Sequence, residues 1–273
     1  MFQVRHKRTM FTSAIIMAEL IYHSVVRSIR NTHGNALMSI AMNLLQMVIM
    51  MAAFYILFSI LGLKGALIRG DFLLYIMTGI FLYMTHVKTV AAVAGSEGPS
   101  SAMMQHAPMN TVIAIAAGAF GTLYIQVLSL VLILFAYHVG VTPFDIEDPA
   151  ATFLMLILAW FTGAALGVVL LAIKPWAPSM VMIFTTIYQR ANMIASGKMF
   201  VANMLTAEKL RLFDWNPLFH TIDQSRGFAF INYYPRNSSW EYPLLVGVVL
   251  LMIGLMAEFY TRRHASASWN ARR

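Results

Sequence analysis

The sequence predicts an all-α integral membrane protein, for two reasons: the chain is too apolar for a water-soluble domain, and its apolar residues fall in runs of bilayer length. Of 273 residues, 59% are hydrophobic and 11% charged, too little polar surface to cover a soluble domain of that size. Roughly six runs approach the ~20 residues that a helix needs to cross the hydrocarbon core. Each backbone amide in hydrocarbon must be paired within its own segment, and the runs lack the alternation of barrel strands, so helices are the spanning form. The expected architecture is six transmembrane helices with an N-terminal amphipathic interfacial helix and a re-entrant hairpin before the last helix. No repeat period or low-complexity linker divides the chain, which reads as one domain.

Residues 10–30 form the first element. Phe11, Ala14, Ile15, Ala18, Tyr22, Val25 and Ile29 share one helical stripe, and Thr12, Glu19, His23, Arg27 and Arg30 take the other side. Such a segment lies in the interface rather than crossing it. Spans are expected near 35–61, 72–94, 112–138, 150–173, 176–197 and 242–260, giving a bundle over 35–260 and a tail over 261–273. Six crossings put both termini on one side. Arg5, Lys7, Arg8, Arg27 and Arg30 near one end and Arg262, Arg263, Arg272 and Arg273 near the other make that side the cytoplasm. The same residues explain the formal net charge of +8 as a topology signal facing lipid headgroups, so no nucleic-acid partner is expected.

The chain lacks cysteine, which excludes disulfides, thiolate metal sites and a cysteine nucleophile. It also lacks a phosphate-binding G-x-x-x-x-G-K-[ST] loop, an H-E-x-x-H zinc pair and a G-x-S-x-G nucleophile turn. The dense acidic group, Asp145, Glu147 and Asp148, sits in a short connector and reads as a solvated loop rather than a metal site. Within the spans, Ser39, Asn43 and Gln46 make one face of the first unfit for lipid, and Gly118, Thr122, Gln126 and Ser129 repeat the pattern in the third. Gly163 and Gly167 form a GxxxG pair in the fourth. All read first as packing within the bundle. Arg190 lies about 20 Å into the fifth span at 1.5 Å per residue, where it must snorkel, pair with an acid such as Asp223, or face a polar path. Lys88 reads as a snorkelling residue, and His86 as a lone histidine. The segment 102–109, with Pro99 suited to a helix start and Pro108 limiting its length, is a candidate docking knob. Residues 193–213 are too broken to span and too apolar to float free, which suits a re-entrant or interface-bound hairpin. The aromatic and polar groups from Trp215 through Tyr234 read first as a belt at the outer face, with stacking on sugar rings as the alternative.

Four features recur in order over nearly the whole chain: the interfacial helix, the stretch Met104-Gln105-His106-Ala107-Pro108-Met109-Asn110, the bend Ala195-Ser196-Gly197-Lys198-Met199-Phe200, and Asn216-Pro217-Leu218-Phe219-His220 followed by Arg226 and Tyr233-Tyr234. This order resembles the permease subunits of ABC exporters that carry capsular polysaccharide, O-antigen or teichoic acid across the bacterial inner membrane. The resemblance implies a homodimer with two copies of a separate cytoplasmic ATPase, which holds ATP and Mg²⁺, and no cofactor or metal in this chain. It implies a lipid-linked, anionic polysaccharide as cargo, with periplasmic and outer-membrane export proteins as further partners. Glu19, Arg27 and Arg30 with Glu97, Gln105 and His106 become the ATPase-coupling candidates. Phe54, Tyr55, Phe58, Phe184 and Tyr188, with Arg190, become the substrate path. Ser196, Gly197, Lys198, Asn216, Pro217, His220 and Arg226 mark the outer hairpin. The other readings are a drug or small-molecule efflux permease of the same fold, a membrane-embedded lipid-modifying enzyme, and a scaffold without a transport role.

Overall fold

A computed structural model describes residues 10–33, 35–62, 68, 70–98 and 110–264, and among these residues the chain is helical with no strand. The helices are α1 (Met10–His33), α2 (Ala36–Ile60), α3 (Phe72–Gly95), α4 (Thr111–Gly140), α5 (Pro149–Ile173), α6 (Pro178–Ala195), a single turn α7 (Ala207–Leu210), α8 (Pro217–Ala229) and α9 (Glu241–His264). Side-chain acceptors set several of the starts. Asn35, Asp71, Asn110, Asp148 and Asn216 each receive an amide of the first turn of α2, α3, α4, α5 and α8, which satisfies donors that have no partner inside the helix. Proline follows at the first position of α5, α6 and α8, where no amide is missed.

Among the described residues, 5 helices are long and apolar enough to cross a membrane: α2, α3, α4, α5 and α9. They agree with five of the six expected spans. The sixth, α6, is 18 residues long, or about 27 Å at 1.5 Å per residue, and carries Gln189, Arg190 and Asn192. It falls outside the set that crosses on length and composition alone. Helix α1, with its ionic face, falls outside it too. Its apolar stripe is largely uncovered: Ile15 and Tyr22 are exposed, and only the last turn is sealed, by Ile29.

Helix α3 is the axis of the bundle, buried from Leu74 to Ala94, with α5 on one side and α2 and α4 on others. Helix α5 is held in turn by α9. Glycines make these contacts close. A Cβ added to Gly163 would lie 2.7 Å from the carbonyl oxygen of His86, and one on Gly167 would lie 2.6 Å from Val93 Cβ. The GxxxG pair thus lets α5 rest on the α3 backbone. The polar stripes of α2 and α4 meet each other: Asn43 Nδ2 donates to Ser129 Oγ at 2.8 Å, and Gln126 Nε2 donates to Asn43 Oδ1 at 3.0 Å. Polar groups facing apolar surroundings are tolerated when they pair in this way.

Because the Gly163 contact is with backbone, no side-chain rearrangement relieves a larger residue there. Gly163→Val is expected to destabilise the protein by about 1–3 kcal/mol, read as a lowered thermal unfolding midpoint in detergent. Gly140→Ala, where an added Cβ meets nothing within 4 Å, serves as the neutral control.

Candidate functional site

Helix α6 stands away from the bundle, with a hollow on each side. Towards α2 lies a groove of about 710 Å³, walled by Ile49, Met50, Phe54 and Leu57 of α2, Met84 of α3, and Met193 and Ile194 of α6, with Gln46 and Arg190 as its polar members. On the other side, a cavity of about 450 Å³ separates the first half of α6 from Ala91, Gly95 and Lys174. A few hydrogen bonds tether the helix between them. Tyr83 Oη donates to Gln189 O at 3.0 Å, Gln189 Nε2 donates to Val87 O at 3.4 Å, and His86 joins Tyr188 at 2.8 Å. The histidine tautomer follows from its partners. Nδ1 faces the carbonyl oxygen of Ala159 at 3.0 Å, which only accepts, so Nδ1 carries the proton and Nε2 accepts from Tyr188 Oη.

Beyond α6 the chain turns sharply at Gly197, whose φ of +75° is a left-handed conformation that favours glycine. The bend crosses α3 at Gly79, about 10 Å along that helix from its start, where an added Cβ would lie 2.8 Å from Lys198 Cβ. The bend therefore sits within the length of α3 rather than past its end. Arg226 of α8 holds it there. Its Nη1 donates to Gly197 O at 2.9 Å and Phe200 O at 2.7 Å, its Nη2 donates to Lys198 O at 2.8 Å, and the guanidinium lies 4.2 Å from the centre of the Tyr75 ring. Asn216 ties the other end of α8 to α6 by donating to Asn192 Oδ1 at 2.9 Å and Ala195 O at 3.0 Å. Asp223 accepts from Tyr233 Oη and, at 2.6 Å, from Ser238 Oγ. His220 Nδ1 accepts the Ser239 amide at 3.1 Å while Nε2 donates to Asp214 O at 2.6 Å.

Lys198 is the anomaly in this packing. Its side chain is buried, its Nζ has no hydrogen-bond partner, and the nitrogen rests 3.3 Å from the centre of the Tyr83 ring and 5.1 Å from that of Phe54. Aromatic faces contribute about 0.5–2 kcal/mol to such a cation. Phe54 also walls the groove, so Lys198 lies behind one wall of the hollow that Arg190 enters.

Of the expected path residues, Phe54 and Arg190 both line the groove, and Phe184 stacks on Tyr188 with ring centres 6.1 Å apart. Phe58 points elsewhere. It is buried against Phe72 and Tyr75 of α3, and Tyr55 lies against Phe72. Arg190 does not pair with Asp223, whose oxygens are taken by Tyr233 and Ser238. Lys88 does not snorkel, because amide oxygens of α2 are nearer than any interface: its Nζ donates to Asn43 Oδ1 and Gln46 Oε1, both at 2.5 Å. Of the coupling residues, Glu19, Arg27 and Glu97 are exposed. Glu19 lies 3.8 Å from His23 on its own helix. Glu97 faces Lys174, which donates to Gly95 O and Ser96 O at 3.3 and 3.2 Å. Burial lowers the Lys174 pKa, and the charge of Glu97 opposes the shift. The Arg30 side chain and the whole of Gln105, His106 and the 102–109 knob lie outside the described residues.

Helix α8 is the main element that reading by apolar runs missed, since it was expected as an aromatic belt. The Asn216-Pro217 pair was its signal: an N-cap followed by proline at the first helical position.

No family model matches the chain, and a search of curated proteins finds no match.

Removing the Arg226 guanidinium strands three carbonyl oxygens in apolar surroundings. Arg226→Gln is expected to cost about 3 kcal/mol or more, detected as early proteolysis of the 197–240 segment and a lower unfolding midpoint. Arg226→Lys is expected to recover little, since one ammonium lacks the planar fork that spans the three acceptors.

Proposed function

We propose that this chain is the membrane-spanning subunit of an ATP-driven exporter of a lipid-linked, anionic polysaccharide, working as a homodimer with two copies of a separate cytoplasmic ATPase. The observation that carries the reading is the α2–α6 face: two long helices with exposed apolar sides, parted by an open groove, and held to the bundle on the α6 side by a few hydrogen bonds. Two copies meeting on that face would enclose a path whose walls include Phe54, Phe184 and Arg190. In this reading α6 is the sixth crossing, completed by the Ser196–Phe200 bend and by α8 as a re-entrant piece, with both termini cytoplasmic in the bacterial inner membrane. The interfacial helix before the first span and the ordered motifs of the sequence support the same assignment. ATP and Mg²⁺ belong to the partner, and Glu19, Arg27 and Glu97 are offered to it at the exposed surface.

The groove is apolar apart from Gln46 and Arg190, and this favours a second reading within transport: efflux of apolar small molecules by the same assembly. A deletion strain separates the two. Loss of surface polymer with unchanged drug sensitivity supports polysaccharide export, and the reverse supports efflux.

In vesicles that hold the chain with its cognate ATPase, polymer is expected to move only with ATP. Arg190→Glu is expected to lower that flux by about tenfold while leaving assembly intact, and equal flux would remove Arg190 from the path. Glu97→Arg is expected to weaken co-purification of the ATPase by a similar factor, and unchanged recovery would remove Glu97 from the docking surface.

A further inference from the structure

A second polar site lies between α1, α2, α3 and α4, and it takes no part in the groove chemistry beyond sharing Gln46. Its hydrogen bonds form a chain that Lys88 orients. The ammonium only donates, so the atoms of Asn43 and Gln46 facing it at 2.5 Å are the amide oxygens. With Asn43 Oδ1 fixed as an acceptor, the Gln126 atom 3.0 Å from it must be Nε2. Gln126 Oε1 is then left without a partner, although Gln126 is 1% exposed. Lys88 has a third N–H beyond its two acceptors. Gln126 Oε1 is closed off inside the packing, so the site presents one spare cationic donor to a cavity of about 240 Å³, far larger than the ~30 Å³ that a single water occupies.

The surroundings indicate what fills it. The floor is polar, the walls include Ile29 and Ile125, and the mouth opens beside Met42 and Gln46, both on the exposed face of α2. From the mouth an exposed apolar stripe of Met38, Met42 and Leu45 runs along α2, suited to an acyl chain. An occupant that carries an anion and continues into hydrocarbon meets both requirements. We propose that this cavity binds the headgroup of an anionic phospholipid, with Lys88 on the phosphate. The site needs only a membrane around the chain and stands apart from the export reading. It fastens lipid where α1 joins the bundle.

The test uses the purified full chain, native mass spectrometry, and nanodiscs of phosphatidylglycerol, phosphatidylmethanol or phosphatidylcholine. The wild-type protein is expected to retain one phosphatidylglycerol or one phosphatidylmethanol per chain, and to prefer either to phosphatidylcholine. Lys88→Met is expected to lower anionic-lipid retention about tenfold or more, the loss of one charge-assisted hydrogen bond. Lys88→Arg, which keeps the cation, is expected to retain the anionic preference, so a loss confined to Lys88→Met is a loss of charge and not of fold. Equal retention of all three lipids, or an unchanged preference in Lys88→Met, would overturn the proposal. So would displacement of the lipid by millimolar inorganic phosphate, which would assign the site to a soluble anion.

Discussion

The contact on which the rest of the arrangement turns is the Arg226 guanidinium held against the carbonyl oxygens of Gly197, Lys198 and Phe200. Those carbonyls belong to a bend lying within the length of α3, where water is scarce and an unpaired backbone group costs several kcal/mol. One planar cation answers three of them, and its face rests on Tyr75. The bend fixes where α6 ends, α8 is fixed by carrying Arg226, and Asn216 closes the loop back onto Asn192. Irregular backbone buried in this way survives only where side chains answer it, and here a single residue answers most of it.

The same constraint explains why the two sides of the bundle differ. Where α5 meets α3 and α9, glycine lets backbone approach backbone, and continuous packing holds the helices, with hydrogen bonds from His86 to Ala159 O and from Thr261 to Ala172 O added to it. Helix α6 presents Gln189, Arg190 and Asn192 in place of a glycine ridge, so it cannot approach as closely and is joined by hydrogen bonds at Tyr83, Val87 and His86. Hydrogen bonds with hollows on either side hold a helix less rigidly than continuous packing does. A wall that must move in a transporter would be drawn from this part of the molecule.

How much of this was legible in the sequence depended on which force wrote it. The five apolar helices were written by burial in lipid, a long-range signal that survives uncertainty of a few residues, and the GxxxG pair of α5 stated its close approach directly. Helix α8 was hidden because its residues serve the protein interior rather than lipid: His220, Asp223 and Arg226 read as surface groups until Tyr233, Ser238 and the bend supply their partners. Lys88 failed for the same reason. Its position near a helix end favours snorkelling, and only the fold brings Asn43 and Gln46 closer than the interface. The pairing of Phe54 with Lys198, separated by more than half the chain, leaves no trace in spacing at all.

The cations that flank α2 share one property that ties these parts together. Among the described residues, Lys88, Arg190 and Lys198 make no ion pair with a carboxylate; the salt bridge present joins His23 to Glu19 on α1. Amide oxygens satisfy Lys88, aromatic rings hold Lys198, and Arg190 opens into the groove. Oxygen dipoles stabilise a cation without cancelling its charge, so the field from Lys88 and Arg190 stays positive on both flanks of α2. A carboxylate partner would have neutralised that field and added its own desolvation cost. Retaining it favours anions along this helix.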